Sequence, residues 1–230
     1  MKKTIIGSFF IFFLINSILI AQTGIKFGIK AGYCIATQYG ITPADLSYEV
    51  SSDARTGFSG GILLYFPITD AFGVQQEFLY TMKGSGQNVS MTDPPPPVST
   101  STVYKINYFE MPIVFRYTFI KLGDFGIYGS TGFGLSLLLN GEFSVEGVVD
   151  VAPGVQIPIS ESGNTDGLDE FDYSFIYAIG TTFNLGNQNL FFEYRQTVGW
   201  NTLLMPTSEG DTDPAPLRNQ TYTLNLGFYF

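Results

Sequence analysis

Few residues in this chain have types and spacings suited to chemistry. The carboxylates best placed for acid–base work are Glu77 and Glu110, which two strand-like segments aim toward one interior. Those best suited to a hard cation lie in Asn164-Thr165-Asp166-Gly167-Leu168-Asp169-Glu170-Phe171-Asp172. Oxygen ligands at this density suit calcium, which makes Asp166, Asp169, Glu170 and Asp172 the candidate metal ligands. Their spacing lacks the alternating acidic positions and terminal bidentate glutamate of an EF-hand loop, so a weak site or a solvated loop is expected. Histidine is absent from all 230 residues, which removes Ser-His-Asp, Cys-His and His-zinc chemistry. The single cysteine, Cys34, lies in an alternating apolar stretch and reads as a buried, inert thiol. An acid pair without a base partner reads as structural charge. The expectation is therefore a protein that is not an enzyme and carries no cofactor.

The elements that must position these residues follow from composition and period. Hydrophobic residues make up 45%, aromatics 16% and charged residues 13%, with 26 glycines and 12 prolines; this describes one all-β domain. Eleven basic against twenty acidic residues give a net charge of −9, which argues against a nucleic-acid partner.

Residues 1–21 read as a signal peptide: Lys2 and Lys3, an apolar run from Ile5 to Ile20, then the small residue Ala21. Cleavage near Gln22 leaves a barrel domain over 22–230, and loss of the two lysines takes the net charge to −11.

From Ile25 to Ile35 every odd position is apolar, and the same period of two recurs in seven further segments. Eight strands result. Their connections alternate between short (67–71, 120–124, 186–189) and long (37–56, 84–102, 141–170, 202–217). This is the pattern of a transmembrane antiparallel up-and-down β-barrel with short periplasmic turns and long extracellular loops. Val145–Val151 and Val155–Ile159 flank Pro153-Gly154 as a hairpin above the membrane; if both spanned it, the strands would number ten. The large apolar side chains occupy one phase of each strand. The other phase carries small residues and Lys30, Glu77, Glu110, Arg116, Glu193 and Arg195, expected to pair as a luminal charge network. A soluble lipocalin-like barrel would invert this arrangement.

The segments Gly28 to Tyr33, Gly57 to Gly61, Glu77 to Gly84, Tyr108 to Pro112, Gly126 to Gly134 and Glu193-Tyr194-Arg195, with the terminal aromatic residue, stand in an order that resembles the PorT-like outer-membrane β-barrel proteins of the Bacteroidetes lineage. The resemblance spans nearly the whole mature chain. It implies a small barrel in the cell outer membrane and, through the namesake's link to type IX secretion, an accessory role in protein export. The last strand places Tyr222, Leu224, Leu226, Phe228 and Phe230 on one face, which resembles the signal read by the outer-membrane assembly machinery.

The resulting expectation is a monomeric, non-enzymatic outer-membrane barrel with a structural or surface-interaction role. Its partners would be outer-membrane lipids, lipopolysaccharide, the assembly machinery and a secretion-system or surface component. A soluble periplasmic lipocalin-like ligand-binding barrel is the alternative. Fourteen of the twenty acidic residues fall in the long connections and Asp172 borders one, where solvation is the ordinary role.

Overall fold

A computed structural model describes residues 24–39, 48–91, 97–152, 154–165, 169–186, 188–200 and 218–230. The signal peptide read over 1–21 lies outside the described residues, as do Asp166 and the connection over 201–217. The strands are β1 (Lys26–Tyr39), β2 (Tyr48–Pro67), β3 (Phe72–Met91), β4 (Val98–Leu122), β5 (Phe125–Ala152), β6 (Val155–Asn164), β7 (Phe171–Leu185), β8 (Gln188–Gly199) and β9 (Arg218–Tyr229).

All neighbours are antiparallel, in the order β4-β3-β2-β1-β9-β8-β7-β5-β6, and an additional β4–β5 pairing closes the ring. Eight strands form that ring, and β6 stands outside it. Closure joins the first and last strands, from Gly28 opposite Tyr229 to Tyr39 opposite Arg218. No strand of the ring is left with an open edge along its paired length, which is the condition for strands to cross hydrocarbon.

The short connections are tight for local reasons. Gly123, at φ +60°, turns β4 into β5 where a Cβ would be strained. Between β2 and β3 the Thr69 hydroxyl accepts from the amides of Ala71 and Phe72 at 3.3 and 2.9 Å, while the amides of Ile68 and Thr69 both donate to the Phe72 carbonyl.

At the other end the strands run further than the sequence pattern predicts. The long connections expected at 37–56, 84–102 and 141–170 are largely strand: β1 ends at Tyr39, β2 begins at Tyr48, β3 reaches Met91, β4 begins at Val98 and β5 extends to Ala152. Alternating Ser, Thr, Val and Gly pair across these extensions, as in Met91 opposite Val98 and Val98 opposite Val149. Polar composition reads as loop when no partner is visible, yet Thr and Val favour extended backbone once one is present. Among the described residues only β2 to β6 continue beyond the ring, so one side of the wall is raised. The hairpin expected above the membrane is β6, paired with the outer part of β5 from Glu142 opposite Asn164 to Ala152 opposite Val155. β7 takes the inner part of β5 instead, from Phe125 opposite Phe183 to Leu137 opposite Phe171. The ring therefore has eight strands rather than ten.

The period of two puts the large apolar side chains outside. Phe27, Ile62, Ile113, Phe133, Ile179 and Leu226 are all exposed on the outer wall, while Lys30, Glu77, Arg116, Glu193 and Arg195 are enclosed. The core is thus the lumen, and it is polar. The soluble lipocalin-like alternative requires the opposite orientation and does not hold.

Candidate functional site

The lumen is layered along its axis. At mid-height Glu77 of β3 is wholly buried and accepts from Arg195 through both oxygens at 2.7 Å, while the Lys30 ammonium lies 2.8 Å from Oε2. Glu193 completes the group, 3.0 Å from Nε of Arg195 and 3.6 Å from Lys30. Two cations and two carboxylates meet here. The pairing follows from strand order: Lys30 on β1, Glu77 on β3 and Glu193 and Arg195 on β8 all point inward across a narrow ring. A bidentate guanidinium–carboxylate contact is the strongest form of such a pair and fixes the orientation of both groups.

Nearer the loop end lies a second group. Lys83 of β3 contacts Glu110 at 2.7 Å and Asp172 at 3.5 Å. Thr81 and Ser136 donate to Glu110 at 2.8 and 3.3 Å, and Asn219 donates to Asp172 at 2.9 Å. Above it Tyr104, Ile106, Tyr108 and Leu138 pack together. The change from ring to raised wall falls here, where Asn107 faces Asn140 but Tyr108 faces Leu138, leaving Leu139 as a bulge.

Toward the short turns the filling is aromatic. Leu63, Tyr128, Phe191 and Tyr229 form a buried cluster with Tyr65 packed against it. Phe191 lies across from Gly227 and Tyr128 across from Gly180, and a Cβ at either glycine would strike the ring. Each ring therefore lies flat over a glycine of the neighbouring strand. Arg116 sits among these rings, its guanidinium carbon 3.5 Å from the centre of the Tyr128 ring and 5.7 Å from that of Tyr229.

Of the six residues expected to form one network, five do, in two groups, and Arg116 does not. It pairs across from Gly73, ten residues below Lys83 on β3 and on the order of 33 Å along the strand. It makes no ion pair among the described residues. Its link to Glu77 is indirect: Nη1 donates to the Tyr229 hydroxyl at 2.8 Å, that hydroxyl donates to Gln75, and Gln75 donates to Glu77. Counting inward from the short turns does not capture the stagger between strands, so Arg116 falls a layer lower than expected. Glu77 and Glu110 likewise belong to separate groups, Glu77 held by Lys30 and Arg195 and Glu110 by Lys83.

Two members were missed by sequence reasoning. Lys83 continues the inward phase of Gln75, Glu77, Leu79 and Thr81, and Asp172 shares the phase of Ser174 and Ile176. Both were legible as phase, Lys83 at the edge of the connection read at 84–102 and Asp172 just past the one read at 141–170. Asp172 is only 1% exposed and is committed to Lys83 and Asn219, so it is withdrawn from the candidate calcium ligands. Asp169 and Glu170 are exposed and away from it, and no cluster of three metal-ligating side chains exists among the described residues. Cys34 is buried, with its thiol donating to the Met82 carbonyl at 3.1 Å. On the terminal strand Leu224, Leu226 and Phe230 face outward.

No curated protein matches the sequence. Among solved structures the chain is similar to Neisserial surface protein A, at 14% identity and TM-score 0.43 over 90% of this chain and 99% of that one. It is similar to the outer membrane protein OprG of Pseudomonas aeruginosa, at 11% identity and TM-score 0.43 over 90% and 97%. It is also similar to the outer membrane protease OmpT of Escherichia coli, at 8% identity and TM-score 0.50 over 90% and 96%. At such identities the likeness concerns the fold alone. Residues 20–204 match the model of the outer membrane protein beta-barrel domain. With a closed antiparallel ring, an apolar outer wall and a polar lumen beside that match, the chain belongs to the outer membrane protein beta-barrel domain family and resides in the outer membrane.

Proposed function

We propose that the protein is a non-enzymatic, sealed outer-membrane barrel that holds a raised β-sheet at the cell surface for structural or interaction purposes. The observation that carries this reading is the filling of the lumen. The space left beside Lys30, Glu77's cations and Glu110 amounts to a cavity of about 10 Å³, room for at most a single water. A carboxylate held by two cations is a poor general base, because protonating it strands both partners.

The raised part of β2 to β6 is what such a seal would carry. It projects from one side of the ring, and Val151, Val155 and Ile157 are exposed at its tip. A role as accessory to a type IX-like secretion system is the more specific form of the same reading and rests on the family resemblance alone.

Planar-bilayer recordings on the purified barrel test the seal: no discrete conductance is expected, and steady openings in the unmodified protein would overturn the reading. Comparing a strain lacking the protein with its parent for envelope integrity, and separately for release of secreted cargo, distinguishes the structural role from the export role.

A further inference from the structure

The aromatic layer has a second face. Below it, among the short turns, is a vestibule of about 510 Å³ whose wall includes Arg116 and Tyr229 on the inner side and Lys26, Lys121, Asp70 and Asp124 toward the mouth. Arg116 is 5% exposed. Its Nη1 is used by Tyr229, but Nε has no acceptor, and no carboxylate stands within ion-pair distance among the described residues. Ring faces offset part of a buried cation's desolvation, yet they accept no hydrogen bond in the guanidinium plane. Lys26 and Lys121 line the same cavity, and neither has an ion-pair partner among the described residues. The other buried cations, Lys30, Lys83 and Arg195, are each ion-paired, whereas three cations around this one cavity are not.

We propose that this vestibule is a binding site for a small oxyanion of the phosphate or phosphomonoester class. The Arg116 guanidinium would form its floor and the Lys26 and Lys121 ammonium groups would close over it. Arginine's planar fork matches the oxygens of such a group, and a fixed fork on a rigid wall loses little freedom on binding. Asp70 and Asp124 are on the turns at the rim, where they screen the mouth and oppose larger acidic polymers. In an outer-membrane barrel the short turns face the periplasm, so the ligand would arrive from that side, either as free phosphate or as a soluble phosphomonoester.

The test is calorimetric titration of the full barrel in maltoside micelles, whose headgroups carry no phosphate. Inorganic phosphate and glycerol phosphate are used as separate probes, with sodium chloride at matched ionic strength as the blank. Saturable heat with either probe is expected, and the probe that binds more tightly identifies the free or the esterified source. Lys26→Gln with Lys121→Gln should weaken binding at least tenfold, Arg116→Gln should abolish it, and Lys105→Gln, at the far end of the barrel, should leave it unchanged. The lysine variants lie outside the packed rings, so they keep the test valid if Arg116→Gln fails to fold. No saturable heat with either probe, or equal affinity in the double lysine variant, would overturn the proposal.

Discussion

The middle of the lumen and its turn-side layer solve the same problem, a buried cation, by different means. At mid-height Lys30 and Arg195 are neutralised by Glu77 and Glu193 within 3.6 Å. In the turn-side layer Arg116 has four aromatic rings around it and no carboxylate. The loop-side group has the reverse imbalance, one lysine against Glu110 and Asp172. The four buried cations and four buried carboxylates thus balance but are polarised along the axis, with the surplus positive charge toward the short turns. Ion pairs specify a geometry strongly, whereas an aromatic cage leaves a guanidinium with donors to spare. The difference is that ion pairs use up the cations in the middle of the barrel, whereas the turn side keeps a guanidinium Nε without an acceptor.

Breaking the middle should have the largest effect. Glu77→Ala leaves Arg195 and Lys30 short of a partner and should destabilise the barrel by about 3–5 kcal/mol, read from urea unfolding in lipid vesicles. Adding Arg195→Ala should cost much less than the sum of the two single changes, since the second removes the stranded charge. An additive double variant would contradict the pairing.

Arg116→Ala sharpens the contrast. Loss of its stacking on Tyr128 and its bond to Tyr229 should lower stability by about 2 kcal/mol, and the change should couple with Tyr229→Phe but add independently with Glu110→Ala. Coupling between Arg116 and Glu110 would mean that the two layers act as one.

The glycines beneath the rings come next. Gly227→Ala pushes Phe191 out of its seat and should cost about 1–3 kcal/mol as overpacking. Thermal unfolding of the detergent-solubilised barrel measures it, and a neutral result would mean that the aromatic layer tolerates rearrangement.

The smallest effect should come from the exposed acids. Asp169→Asn with Glu170→Gln should change stability by less than about 0.5 kcal/mol and leave any heat of calcium addition unaltered. Asp172→Asn, two residues further on, should destabilise clearly through the loss of charge beside Lys83. Equal behaviour of the two variants would return Asp172 to the surface.

Legibility in the sequence followed phase more than identity. Alternation from Ile25 to Ile35 and its repeats placed Lys30, Glu77, Glu110, Glu193 and Arg195 inside correctly, because a side chain's face depends only on its parity along a strand. Size was a poorer guide. Tyr65, Tyr128, Phe191 and Tyr229 are inward although large apolar residues were expected outside; each sits between outward-facing neighbours, as Tyr229 does between Phe228 and Phe230, and only its parity reveals it. Asp172 and Lys83 show the same lesson at strand ends, where local polarity concealed a phase that continued.

Period, turn chemistry and charge thus determined, from sequence alone, that this chain is a barrel, which face of each strand meets lipid, and that charged residues line the lumen, but not that an aromatic layer fills its turn side. The tertiary structure decided which of those residues meet. Height along the axis depends on the stagger between strands, a property of ring closure that no single segment encodes. That stagger joined Glu77 to Arg195, set Asp172 beside Lys83, and left Arg116 alone among the rings.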